Sequence, residues 1–336
     1  MKKILILTII IPLVGWSQEN FTFIHNGIER DYILYAPDNL KDGAPLVFVG
    51  HGYGGNAQEM MNSCEMNSLA DNEGFMVCYP EGTIDYDGNH FWNIGYNFHQ
   101  NVTVDDVGFL VDLANFLQEN YSLSSTLTFA TGMSNGGELC YLLACEASAT
   151  FRAVASIAGG IWYNYLDQNP CQPKMPIPVF IKHGTNDNVT YYEGDINDTY
   201  WGPYLSVDSV LSIHISNLML DNVAIDTLEN INNNQRVTIR YKYSSDENFK
   251  EVWLYKYLNG GHSWNSDDYS IEEEIWSFFM QMSEQETDPL IIKENYINKE
   301  LIQIIDVLGR ESKEIKGQPL FYIYDDGTIN KRIIIE

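Results

Sequence analysis

One serine in this 336-residue chain sits in a pattern that could make it a nucleophile. Gly132-Met133-Ser134-Asn135-Gly136 reads Gly-x-Ser-x-Gly, between a strand-like run at 127–131 and a helical pattern carrying Leu139, Leu142, Leu143 and Ala144. A strand turning tightly into a helix lifts such a serine to the tip of the turn. There the free N–H groups of the helix start favour developing negative charge. A serine hydroxyl is a weak nucleophile at neutral pH and needs a base within hydrogen-bond reach. That base is usually histidine, with an acid behind it to fix its tautomer and stabilise the imidazolium. Of seven histidines, His262 stands out in a Gly260-Gly261-His262 loop, whereas His51 and His183 each precede a glycine at a strand end and read as structural. Asp187, after a Gly-Thr-Asn turn, is the candidate acid; Asp195 and Asp198, in a polar loop, read as solvated. The oxyanion of a tetrahedral intermediate needs preorganised N–H donors. The backbone of Asn135 would supply one, and that of Tyr53, in the glycine-rich loop 51–55, the other. Trp264, beside the base, reads as a pocket wall. Trp92 and Trp201 read equally as stacking surfaces for substrate or as core.

These residues need a scaffold that brings loops together. The continuous apolar runs 44–50, 74–79, 153–157 and 178–182 fit strands buried on both faces. Helical patterns alternate with them at 57–71, 105–121, after Ser134, at 207–220 and at 271–282. The runs 21–25 and 31–35 alternate polar and apolar residues like antiparallel edge strands, and 236–243 and 252–258 are further strands. This succession predicts a mostly parallel, doubly wound sheet flanked by helices, with functional loops gathered at the carboxyl ends of its strands. The loops holding Tyr53, Ser134, Asp187 and His262 all fall at such ends. The order Ser, Asp, His is that of the α/β-hydrolase fold.

The bulk composition narrows the partners. Nineteen Lys and Arg stand against 46 Asp and Glu, a net charge of −27, which argues against nucleic acid or an anionic membrane. Lys2 and Lys3 followed by the apolar run 4–14 read as an export leader ending near residue 17, too short to span a bilayer. The mature chain is then extracytoplasmic, has no transmembrane segment, and can hold disulfides. Five cysteines leave at least one thiol unpaired or paired between molecules, and with no Cys-x-x-Cys a zinc site is not expected. Cys140, in the helix after Ser134, reads as an apolar filler.

Residues from about 22 to 282 resemble the secreted esterases grouped with polyhydroxybutyrate depolymerases, feruloyl esterases and acetyl xylan esterases. The matching pieces are 51–55 (His-Gly-Tyr-Gly-Gly), 104–109 (Val-Asp-Asp-Val-Gly-Phe), 132–137 (Gly-Met-Ser-Asn-Gly-Gly), 183–187 (His-Gly-Thr-Asn-Asp) and 260–264 (Gly-Gly-His-Ser-Trp). The resemblance implies Ser134 as nucleophile, Asp187 as acid, His262 as base, and no cofactor or metal. It also implies a Cys145–Cys171 disulfide, a Cys64–Cys78 pair and a free Cys140. Two departures are Asn135, where many relatives carry a smaller residue, and Asn265, where many carry proline.

After a polar, acidic stretch at 283–289 the composition changes. The β-like runs 301–308, 320–324 and 328–336, with a hairpin signal at Asp325-Asp326-Gly327, form a small β-rich tail. It resembles the C-terminal sorting signal of the type IX secretion system of Bacteroidetes, through 306–310 (Asp-Val-Leu-Gly-Arg) and 319–328. That implies outer-membrane secretion machinery as a partner; a carbohydrate-binding hairpin is the alternative. The chain thus reads as a leader (1–17), an α/β-hydrolase esterase domain (18–283), and a linker with sorting segment (284–336). The expected function is a secreted serine esterase acting on feruloyl or acetyl esters of plant polysaccharide. A polyester depolymerase is the alternative within the class. A non-catalytic glycan-binding protein on a hydrolase scaffold is the alternative outside it.

Overall fold

The computed structural model describes residues 19–228, 235–266, 268–284, 301–305, 310, 312–313, 319–324 and 329–333. The leader, the stretch 285–300, 306–309 and the turn 325–328 lie outside the described residues. The chain divides into two compact units, Met1–Glu284 and Gln285–Glu336.

In chain order the first unit runs β1 (Glu19–His25), β2 (Ile28–Tyr35), β3 (Leu46–Gly50), α1 (Ala57–Ser63), α2 (Met66–Glu73) and β4 (Met76–Pro80). The short pair β5 (Thr83–Ile84) and β6 (His90–Phe91), α3 (Asp106–Asn120), β7 (Thr128–Met133), α4 (Asn135–Glu146), β8 (Ala153–Ile157), α5 (Tyr163–Gln168) and β9 (Val179–Gly184) follow. The unit closes with α6 (Val207–Leu218), β10 (Asn222–Thr227), β11 (Val237–Ser245), β12 (Asn248–Leu258) and α7 (Ile271–Glu284). Among the described residues, ten strands form one sheet in the order β1-β2-β4-β3-β7-β8-β9-β12-β11-β10. The six central strands, β4 to β12 in that order, are parallel, and antiparallel pairs close both edges. This is the mostly parallel α/β-hydrolase sheet that the alternating pattern implied.

Strand periodicity divides the core between the two faces. Leu46 and Phe48 of β3 join Phe109 of α3, Leu139 and Leu143 of α4 and Val210 of α6 on one face. Val47 and Val49 join Met60 of α1, Met66 of α2 and Ile275 and Phe279 of α7 on the other. This alternation corrects one cysteine assignment. Cys78 of β4 points to the first face and Cys64, at the end of α1, lies on the second. Both are free thiols, because the sheet itself separates them. Cys145 and Cys171 do form a disulfide, and Cys140 is buried and free.

The helix expected over 57–71 is two helices. Asn56 caps α1 through its side chain, Cys64 then adopts an extended backbone, and α2 restarts at Met66. The break follows Asn62-Ser63, residues of weak helix propensity. At the start of α3, Asp106 accepts Arg30 at 2.7 Å through Oδ1 and the Asn93 N–H at 2.7 Å through Oδ2. This buried pair ties β2, the strand next to the sheet edge, to α3 and to the segment carrying Trp92.

The second unit holds β13 (Leu301–Ile305), β14 (Pro319–Tyr324) and β15 (Ile329–Ile333), an antiparallel three-stranded sheet.

Candidate active site

Ser134 joins β7 to α4 with φ 55° and ψ −122°, a conformation that costs a non-glycine residue free energy and turns its side chain off the sheet. The turn is held by the Ser134 N–H to the Ile157 carbonyl at 2.8 Å and by the Glu138 N–H to the Ser134 carbonyl at 2.8 Å. Its glycines are steric necessities. A Cβ on Gly132 would sit 2.6 Å from the Gly136 carbonyl, and one on Gly136 would strike the Gly50 carbonyl.

Asn135 is the first residue of α4, so its N–H has no partner four residues back and faces the helix start. Loop 51–55 passes directly over the serine, since a Cβ on Gly52 would come within 3.4 Å of the Ser134 Cβ. Tyr53 is pinned by its hydroxyl donating to Asp85 at 2.6 Å and accepting from Asn89 at 3.0 Å. His51 spends both ring nitrogens on the backbone. Nδ1 donates to the Gly52 carbonyl at 2.8 Å and Nε2 accepts from the Gly82 N–H at 2.9 Å.

At the other side of the serine, His262 Nδ1 donates to Asp187 Oδ2 at 2.8 Å. Oδ1 of the same buried carboxylate accepts the Val189 and Thr190 N–H groups at 2.9 and 3.0 Å. His183 donates from Nε2 to the Thr190 carbonyl at 2.7 Å and lies 3.4 Å from Asp187 Oδ2. Burial alone would raise the Asp187 carboxyl. Hydrogen bonds from His183 and His262, the His262 charge and the Val189 N–H outweigh it and hold the group well below the usual carboxylate range. The loops carrying Asp187 and His262 are laced together by the Asn186 N–H to the Gly260 carbonyl at 2.8 Å and the Asn259 N–H to Thr185 Oγ1 at 2.9 Å. The buried Lys182 ammonium donates to the carbonyls of Ser263, Trp264 and Asn265 at 2.7, 2.9 and 3.0 Å. It thereby organises the irregular segment directly after His262. Asp195 and Asp198 serve as turn formers, accepting N–H groups two and three residues on.

Ser134 and His262 open into one cleft of about 300 Å³. Tyr53, Tyr96, Trp162, Trp201 and Tyr204 give it aromatic walls. Trp201 meets Tyr53 edge-on at 5.2 Å and Tyr96 at 4.9 Å. Thr190 and Glu138 also line it, and Glu138 is fully buried on α4. Its Oε2 accepts from the Tyr96 hydroxyl at 2.6 Å and from Asn135 Nδ2 at 3.2 Å. Burial raises this carboxyl to about 8, with the Tyr96, Asn135 and Gly160 donors offsetting only part of the effect.

Trp92 takes the core position among its two readings, and Trp264 lies elsewhere than expected. Trp92 is fully buried beneath the loop over Ser134. Its indole N–H donates to the His51 carbonyl at 3.0 Å, and its backbone N–H and carbonyl are both bonded by the Asn135 side chain, at 2.7 and 3.1 Å. The amide of Asn135, the departure seen in the sequence, is therefore the tie between α4 and the Trp92 segment. Trp264 does not wall the cleft. Its indole donates to Glu272 at 2.6 Å in the core on the α7 face of the sheet. Glu138, Tyr96 and Lys182 carried no motif; an acid inside the apolar pattern of α4 was the one available sign.

Residues 30–169 match the family model described as "Esterase PHB depolymerase". A bifunctional acetylxylan esterase/xylanase from Neocallimastix patriciarum is 28% identical over 167 residues, 50% of this chain and 23% of that protein. A probable feruloyl esterase C from Aspergillus oryzae is 29% identical over 182 residues, 52% of this chain and 60% of the relative. The matches thus span less than two thirds of those curated relatives. The structure of an acetyl xylan esterase from Aspergillus awamori superposes with a TM-score of 0.59 at 14% identity, covering 79% of this chain and 99% of that one, a likeness of fold. The chain thus has the α/β-hydrolase fold, and its matched part is similar to esterases, the feruloyl and acetylxylan esterases among them.

Proposed function

We propose that this protein is a secreted serine esterase that cleaves feruloyl or acetyl esters on plant polysaccharide through an acyl-enzyme. One observation carries the reading: the 2.8 Å His262–Asp187 bond stands in the same cleft as a serine held on a strained strand-to-helix turn. The Asp187 bond commits the His262 Nδ1 proton and leaves Nε2 to take the proton of Ser134 as Oγ attacks the ester carbonyl. The oxyanion meets the Asn135 and Tyr53 N–H groups. Collapse breaks the acyl–oxygen bond, and His262 returns the proton to the leaving alcohol. Water then attacks the acyl-serine by the same route, freeing the acid and restoring Ser134. Protein groups balance the first step, and the attacking water with His262 balances the second.

The aromatic walls suit a planar acyl group, and the relatives named as feruloyl and acetylxylan esterases support this substrate class. A polyester is the second reading, supported by the description of the matched family. Export rests on the leader, and handling by a type IX system rests on the tail motif. The test is hydrolysis of p-nitrophenyl acetate, methyl ferulate and polyhydroxybutyrate by wild type and Ser134→Ala. Turnover that disappears in the variant, with methyl ferulate or acetate preferred, supports the reading. No turnover by folded wild type removes the catalytic reading and leaves a glycan-binding scaffold.

A further inference from the structure

We propose that loop 188–204 carries a docking surface for an uncharged polysaccharide chain, built on Tyr191 and Tyr200 and continuous with the cleft. The proposal rests on the esterase reading and assigns the surface to the alcohol side of the ester. Large apolar side chains left in water in one short stretch call for a partner. Here Val189, Tyr191, Ile196 and Tyr200 are 51, 48, 62 and 61% exposed. The rings lead inward: Tyr200 lies 5.3 Å from Trp201, and Trp201 lies 5.2 Å from Tyr53 in the cleft with Ser134. Val189 belongs both to the exposed set and to the cleft lining.

The loop is an ordered platform. Asp198 Oδ1 accepts the N–H groups of Tyr200 and Trp201 at 2.8 and 2.9 Å. The Tyr191 N–H donates to the Tyr204 hydroxyl at 3.0 Å, and Asp195 bridges Tyr204 through two backbone bonds. The rings are thus presented at little entropic cost on binding.

The chemistry of the same loop selects the occupant. Glu193, Asp195 and Asp198 add three carboxylates to the same loop, which repel an anionic polymer. A polyester offers carbonyl acceptors and no donors to those carboxylates. A neutral glycan offers hydroxyl donors to them and apolar ring faces to the tyrosines.

The experiment compares wild type with the double variant Tyr191→Ala/Tyr200→Ala, whose exposed positions leave the fold intact. Methyl ferulate and feruloylated arabinoxylan are the substrates, and retention on insoluble de-esterified xylan is measured with both proteins carrying Ser134→Ala. The surface predicts kcat/KM on the polymer falling roughly tenfold, xylan retention lost, and methyl ferulate turnover unchanged. Equal losses on both substrates, or unchanged polymer turnover, overturn it. Weaker adsorption to polyhydroxybutyrate particles with xylan retention intact also overturns it, in favour of a polyester. If wild type cleaves no ester, the esterase reading fails, and xylan retention still decides whether the surface binds glycan.

Discussion

Glu138→Gln puts the charge state of the cleft to a quantitative test. The wild-type carboxyl lies fully buried on α4, and burial lifts it from the ordinary glutamate value of 4.5 to about 8. In the unfolded chain the same group ionises near its ordinary value. Between those two values the folded protein therefore holds a proton that the unfolded chain has released. The sign follows: stability falls as pH rises through this window, at about 1.4 kcal/mol per unit, and levels off above about 8. A window of about 3.5 units makes the full effect about 5 kcal/mol. Glutamine keeps the shape and an acceptor oxygen for Tyr96 and the Gly160 N–H, yet cannot ionise. Urea unfolding of both proteins between about pH 5 and pH 9, at fixed ionic strength, reads the difference directly. The stability advantage of the variant should grow with pH across the window and then become constant, whatever the other carboxylates do. Activity should diverge in the same direction. An ionised Glu138, 3.2 Å from the side chain of Asn135, the proposed oxyanion donor, opposes the developing oxyanion, so wild type should lose rate on the alkaline side where the variant does not. Parallel stability curves for the two proteins would refute the reasoning.

Other perturbations separate the parts of the site. Asp187→Asn removes the acceptor of the His262 Nδ1 proton and should lower kcat by ~10⁴ with little change in KM, measured on p-nitrophenyl acetate. Because the Asp187 carboxyl is held below its ordinary range, its stabilising contribution is present above that range and lost as pH falls through the depressed value. The variant should therefore lose part of the acid-side slope of stability. Lys182→Met strands three carbonyls after His262 and should cut kcat by up to about 100-fold with KM nearly unchanged, through misplacement of the base. Asp106→Ala leaves the Arg30 guanidinium buried beside an empty place and should cost about 3–5 kcal/mol in chemical denaturation.

The parts of the candidate site legible in sequence were those with local signatures. Ser134 announced itself because its turn needs glycines at fixed offsets, and the long apolar strands and amphipathic helices fixed the sheet class. Asp187 and His262 followed from chain order and from loops at strand ends. What stayed hidden depends on which face of the sheet a residue reaches, something set by partners far along the chain. Trp92 and Trp264 both sit in loops of similar composition. Yet one is drawn under loop 51–55 by the Asn135 amide and the other across the sheet to Glu272. Cys64 and Cys78 are close in sequence and lie on opposite faces. The partner of Glu138, Tyr96, lies 42 residues away, so no local pattern connects them. The edge strand β10 escaped because it is exposed throughout and lacks the buried run that marked the other strands.

The most direct test is to find the covalent intermediate. Wild type mixed with excess p-nitrophenyl acetate, quenched in acid within the burst and digested, should carry one acetyl group, on the peptide containing Ser134. The burst should match the enzyme concentration, and Ser134→Ala should show neither burst nor label. Steady turnover with no acylated Ser134, or turnover undiminished in Ser134→Ala, would contradict the account.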